Sequence, residues 1–226
     1  MATSKKGLFL NQRKYVLDLL REANMLTCKP AITPMDSKLQ LPENGELVDS
    51  IQVYQRLVGK LIYLTITRPD ISHTVSIVSQ FMHAPTVDHM AIVKQILRYL
   101  KGSIGRGVLM KHNGHFQIHG YTDADWARNN LDRKSTTRYC IFVGDNLVSW
   151  KSKKQMVVAR SSAEAEYRAM VSIAAELMLL CISPPILFSM SAPNISKSIA
   201  IIFDNIFSHN LRGSIGDIGE SAVIKL

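Results

Sequence analysis

The chain is read as α/β: a mainly helical first half, then a half in which short strands form a mixed sheet with helices packed on it. Three observations predict this. Apolar residues recur at helical spacing through residues 11–101. Past Gly105 the period shortens to that of strands, and four short β-like runs follow one another. A long apolar helix and one more Ile-rich run come after them, so past the boundary segment, which holds the first of the four runs, the order is β-β-β-α-β. The boundary between the halves is placed near residues 102–114.

The elements follow in order. Asn11 is positioned to cap a helix that carries Tyr15, Val16, Leu19, Leu20 and Ala23 on one face. Pro30, Pro34, Pro42, Asn44 and Gly45 mark a loop. Residues 53–67 place Val53, Leu57, Leu61 and Leu64 at helical spacing, and Pro69 stops that helix. Asp70 is placed to cap the next, over residues 71–82, before Pro85 breaks the chain again. A helix over 88–101 turns Ile92, Ile96, Leu97 and Leu100 inward and is closed by Gly102. Strands are expected over 108–111, 116–122, 138–143 and 147–151, with turn chemistry at Gly114 and Asp145-Asn146. A helix over 162–181 and a strand over 198–203 complete the series.

Bulk properties narrow the function classes. The 226 residues suffice for one large or two small domains, and the net charge of +9 suits a polyanionic partner. Cys28, Cys140 and Cys181 are too few and too scattered for a disulfide framework or a zinc site. They read as buried thiols of an intracellular protein, cytoplasmic or nuclear and not secreted. No signal-peptide core opens the chain. The apolar run 169–187 contains Glu176 and ends in Pro184-Pro185, so it is read as a buried helix and no membrane partner is expected.

Three acids carry the chemistry: Asp123 in Thr-Asp-Ala-Asp-Trp, Glu166 in Ala-Glu-Ala-Glu-Tyr and Asp204 in Phe-Asp-Asn. Each falls where a strand ends or a helix has just begun. Carboxylates from separate elements that meet in one cleft form a hard, oxygen-rich site for Mg²⁺, and such sites hydrolyse phosphodiesters. Glu164 and Glu166 stand two apart on a helix and so do not share a face. Glu164 is read as a first-turn acid favoured by the helix dipole.

Long motifs then identify a family. Tyr-Gln-Arg-Leu-Val-Gly-Lys-Leu-Ile-Tyr-Leu (54–64), Thr-Arg-Pro-Asp-Ile (67–71) and Val-Ser-Gln-Phe-Met-His-Ala-Pro (78–85) come first. Leu-Arg-Tyr-Leu-Lys-Gly (97–102) and Tyr-Thr-Asp-Ala-Asp-Trp-Ala (121–127) follow, then Ser-Trp-Lys-Ser-Lys-Lys-Gln (149–155) and Ala-Arg-Ser-Ser-Ala-Glu-Ala-Glu-Tyr (159–167). In that order they resemble the C-terminal part of the polyprotein of copia-type (Ty1/copia) LTR retrotransposons, strongly from residue 7 to residue 180. The resemblance implies that residues 1–104 are the helical thumb and connection end of a reverse transcriptase. The polymerase's paired aspartates are not among them, since the sequence has no Tyr-x-Asp-Asp. It further implies a ribonuclease H-like domain over 105–210, ending short of the family's final helix, and a divergent tail over 211–226.

The implied activity is endonucleolytic hydrolysis of RNA in RNA–DNA hybrids. The implied cofactor is Mg²⁺ (or Mn²⁺), held by Asp123, Glu166 and Asp204, with Asp123 bridging two ions. The implied partners are the RNA–DNA hybrid and a separate reverse transcriptase chain. Asp125 is read as solvated or capping a turn. Arg133, Lys134, Lys151, Lys153, Lys154 and Arg160 are candidates for hybrid phosphates, with a solvated basic face as the alternative. Trp126 and Trp150 are read as core.

The pattern also departs from the family. A fourth acid has no counterpart: residues 206–220 replace the last acidic motif, and neither Asp217, Glu220 nor His209 is promoted to a site. Arg128 and Arg138 stand where the family usually has glycine. A bulky residue there is damaging only if the glycine took a positive φ or touched another backbone. Beside the nuclease stands a second reading, a non-catalytic nucleic-acid-binding relic.

Overall fold

The computed structural model describes residues 2–36, 45–115, 117–127, 132–182, 214–215 and 222–225. The chain divides into two compact units, Met1–Met110 and Lys111–Leu226.

Among its described residues the first unit holds four α-helices, α1 (Arg13–Glu22), α2 (Ile51–Leu64), α3 (Ser72–Val78) and α4 (Val87–Gly102). Their apolar faces form one core: Leu19 and Leu20 from α1, Tyr54, Leu61 and Leu64 from α2, and Ile96, Leu97 and Leu100 from α4 are all sealed from solvent. Val53, expected inward, is 37 % exposed, and Tyr54 and Val58 face the core instead. Ser50 caps α2, its side chain accepting from the Val53 N–H.

Other caps differ from expectation as well. Gln12, not Asn11, precedes α1 and makes no side-chain cap. Helix α4 is entered through Thr86 and His89, each bonding the other's main chain.

Asp70 does not cap a helix; it is taken by Arg68. The Arg68 guanidinium is almost fully buried, donating to both Asp70 oxygens, to the Ser103 carbonyl (3.0 Å) and to the Ser103 hydroxyl (2.7 Å). The Tyr99 hydroxyl donates to the same carboxylate at 2.7 Å. This network ties the turn Pro69–Ile71 to the end of α4. Burial alone would raise the Asp70 pKa, but Arg68 and Tyr99 outweigh it and hold the carboxyl below its ordinary value. The Thr-Arg-Pro-Asp-Ile motif is therefore a structural staple.

An antiparallel sheet that periodicity does not reveal also belongs to this unit: β1 (Ala2–Ser4), β2 (Gly7–Leu10) and β3 (Val108–Met110). The first strand-like run after the helices pairs back to the start of the chain, Leu10 opposite Val108.

In the second unit, β4 (Ile118–Asp125), β5 (Thr136–Val143) and β6 (Asn146–Lys154) form an antiparallel meander. With β7 (Ser214–Ile215) and β8 (Ala222–Lys225) the sheet order is β6-β5-β4-β8-β7. A mixed sheet was expected, yet every described pairing is antiparallel, as the hairpin connections of β4–β5 and β5–β6 require for those two. The strand expected over 198–203 lies outside the described residues. The β5–β6 turn sits one residue earlier than read: Gly144 and Asp145 both take positive φ, the two-residue hairpin geometry. Asn146 opens β6 and bonds both peptide groups of Lys111.

Helix α5 (Ser162–Ile182) lies on this sheet. Its stripe Ala165, Ala169, Ile173 and Leu177 is buried, with Ile173 and Leu177 against Ile118, Ile141 and Val143. Gly120 makes the close approach possible, because a Cβ there would lie 2.7 Å from Ile173 Cδ1.

Candidate functional site

Strand pleating sorts the side chains of β4. Ile118 and Gly120 face α5, so His119, Tyr121, Asp123 and Asp125 occupy the other face. The same alternation on β5 turns Tyr139, Ile141 and Val143 toward α5 and leaves Arg138, Cys140 and Phe142 opposite. Tyr121 and Phe142 meet edge to face on that second surface.

Asp123 and Arg138 are direct cross-strand partners. Arg138 Nη1 donates to Asp123 Oδ2 at 3.0 Å, and Nη2 donates to Asp125 Oδ2 at 2.6 Å. The other oxygen of Asp125 accepts the Thr136 N–H at 2.7 Å. Asp125 is thus the more enclosed of the two acids, 16 % exposed against 43 % for Asp123. The solvated or turn-capping role read for it does not hold. It binds the next strand, which an isolated sequence does not reveal because the β4–β5 register is unknown until the sheet forms.

Glu166 comes to the same strand end from α5. Its Oε1 accepts the N–H of Ala124, the peptide that follows Asp123, at 3.1 Å. Burial raises its pKa most; the Ala124 N–H opposes the shift, and the Asp123 charge adds to it. Glu164 points elsewhere, accepting from the Arg160 N–H and pairing with Arg168. Asp204, the third expected acid, lies outside the described residues, as does Arg128.

A divalent ion needs several free carboxylate oxygens turned to one point. Here Asp123 and Asp125 each have an oxygen on the Arg138 guanidinium, and Glu166 has one on a peptide N–H. Among the described residues no three His, Cys, Asp or Glu side chains converge to hold a metal. In this arrangement the described acids do not fit a divalent ion.

The six basic candidates do not form one surface. Lys151 and Lys153 stand opposite Tyr139 and Thr137 on the α5 side, and Lys154 stands opposite Thr136 on the other. Lys151 pairs with Glu176 and Lys154 with Asp132. Arg133, Lys134, Lys153 and Arg160 form no ion pair with another described residue; Arg133 takes φ 53°. Trp126, read as core, is 48 % exposed and donates its indole N–H to the Ala159 carbonyl. Cys28 and Cys140 are partly buried and unbridged. No helix among the described residues is long and apolar enough to cross a membrane.

Comparison with known proteins places the chain. Over 177 residues it is 46 % identical to a retrovirus-related Pol polyprotein from transposon RE1 of Arabidopsis thaliana, covering 77 % of this chain and 12 % of that one. It is 38 % identical over 188 residues to the Pol polyprotein from transposon TNT 1-94 of Nicotiana tabacum, covering 79 % and 14 %. An uncharacterized mitochondrial protein of Arabidopsis thaliana is 44 % identical over 175 residues, with 77 % and 73 % covered. The chain therefore spans only 12–14 % of the length of the two polyproteins. No family model matches, and no solved structure matches.

Proposed function

Because the chain belongs to the copia-type retrotransposon Pol polyproteins, we propose that its second unit is a ribonuclease H-type domain directed at the RNA strand of RNA–DNA hybrids. One observation carries this reading: Glu166, from a helix, bonds the peptide beside Asp123, from a strand, so acids of two separate motifs meet at one strand end. The first unit fits the thumb and connection end of a reverse transcriptase, where its buried Arg68 staple serves stability. The hybrid is the substrate, and a polymerase chain is the partner that would supply what the first unit lacks. Mg²⁺ or Mn²⁺ is the cofactor proposed with this activity, and Asp123 must be released from Arg138 before it can serve as a ligand.

A specific observation favours a second reading, a binding domain without cleavage: the Arg138 guanidinium sits on the acid that hydrolysis would need. One experiment separates the two. The purified chain and Asp123→Asn are each incubated with a labelled hybrid and Mg²⁺, and binding is titrated in rising salt. Cleavage by the wild type that the variant lacks supports the nuclease. Two inert proteins that bind equally, with affinity falling as salt rises, support the binding domain. Absence of hybrid binding sinks both.

A further inference from the structure

We propose that Arg138 is a built-in cation that holds the Asp123 and Asp125 carboxylates and keeps divalent ions off them. It rests on the reading of Asp123 as a nuclease acid, but it concerns this chain's own departure from the family pattern.

Three features of the geometry lead here. First, the register makes Arg138 the residue directly opposite Asp123, so the contact is set by the sheet. Second, one guanidinium reaches two carboxylates at 3.0 Å and 2.6 Å. Its planar fork matches carboxylate oxygens. Third, Arg138 Nε is buried and has no hydrogen-bond partner among the described residues, so the acids are the guanidinium's bonding partners there.

Two aspartates two apart on one strand face would otherwise repel each other, and a single positive charge between them offsets that repulsion. A divalent ion offers the same service, with oxygen ligands as its requirement. The two cations compete for the same oxygens, and the tethered one needs no encounter. A nearby guanidinium also repels any incoming ion. The replacement of glycine leaves the backbone undisturbed: Arg138 is ordinary strand and is absent from the positive-φ residues.

The test titrates Mn²⁺ into the full chain by calorimetry, with no hybrid present, so its outcome is independent of whether the nuclease reading stands. Arg138→Gln keeps a polar side chain without charge, and Arg138→Gly removes the chain altogether. Both should bind Mn²⁺ roughly tenfold or more tightly than the wild type, and Asp123→Asn added to Arg138→Gln should abolish the gain. Equal affinity in all three, or a gain that survives Asp123→Asn, overturns the proposal. A readout without substitution at 138 accompanies it. In the wild-type chain, saturating Mg²⁺ should shift the Arg138 guanidinium signals in ¹⁵N NMR as the side chain is displaced. Guanidinium signals that stay unchanged while the Asp123 carboxyl ¹³C signal shifts would show the ion binding without displacing Arg138, and overturn the proposal as well.

Discussion

Gly120→Ala tests how α5 is seated, and with it the placement of Glu166. The new Cβ would lie 2.7 Å from Ile173 Cδ1 and 3.4 Å from both Ile173 Cγ1 and Leu177 Cδ1. Overpacking a filled core costs about 1–3 kcal/mol. Alanine in place of glycine within a regular element recovers roughly 0.5–1 kcal/mol. The net expectation is a destabilisation of roughly 0–2.5 kcal/mol by that difference. Ile173→Val removes the atom that clashes and alone costs about 0.5–1.5 kcal/mol. In the double variant the clash is gone, so the two costs should fall short of their sum by at least about 0.5 kcal/mol. Urea unfolding followed by tryptophan emission reads this directly, because Trp126 and Trp150, the two tryptophans of the chain, both lie in the second unit. Strict additivity, within about 0.3 kcal/mol, would show that α5 does not sit on Gly120 as described.

Two further expectations concern the first unit. Arg68→Met leaves both Ser103 groups without their donor and the Asp70 carboxylate with Tyr99 as its remaining side-chain donor, at a cost of about 3 kcal/mol, the low end for a broken buried pair because Asp70 is 30 % exposed. Hydrogen exchange should accelerate in α2 and α4 together, and unchanged protection there would refute the staple. Asp70 also gives this unit a pH dependence. Its folded pKa is lowered, so its stabilisation is full above the unfolded value near ~4 and is lost as pH falls through the folded value. Asp70→Asn should be less stable than the wild type at pH 7 and converge with it in acid; a gap that persists unchanged below pH ~2 would contradict the linkage.

How much was legible depends on the range of the interaction concerned. Helix faces were readable because 3.6-residue periodicity is local, and Leu57, Leu61, Leu64, Ile96 and Leu100 are buried as read. Caps were less so: Asn11 and Asp70 do not cap the helices they precede, while Ser50 and Thr86 cap theirs by geometry that only the folded turn supplies. Short strands were found, but their partners were not. The run ending at Met110 pairs with β2, some hundred residues earlier, an antiparallel contact that no local pattern encodes. The buried arginine was missed for the same reason, since the Ser103 groups that satisfy it lie on another element.

For the candidate site the division is sharper. The sequence by itself determined the family and the acids to inspect, because long motifs carry residue identity and order whatever the fold does with them. The resemblance also implied that Arg138 stands where the family usually has glycine. Only the tertiary structure decided what that arginine does. Pairing β4 with β5 in the register of Asp123 opposite Arg138 turned a substitution that looked like a packing question into an electrostatic one. A strand's register depends on the whole sheet and on the helix seated upon it, and charge acts through the distances that result.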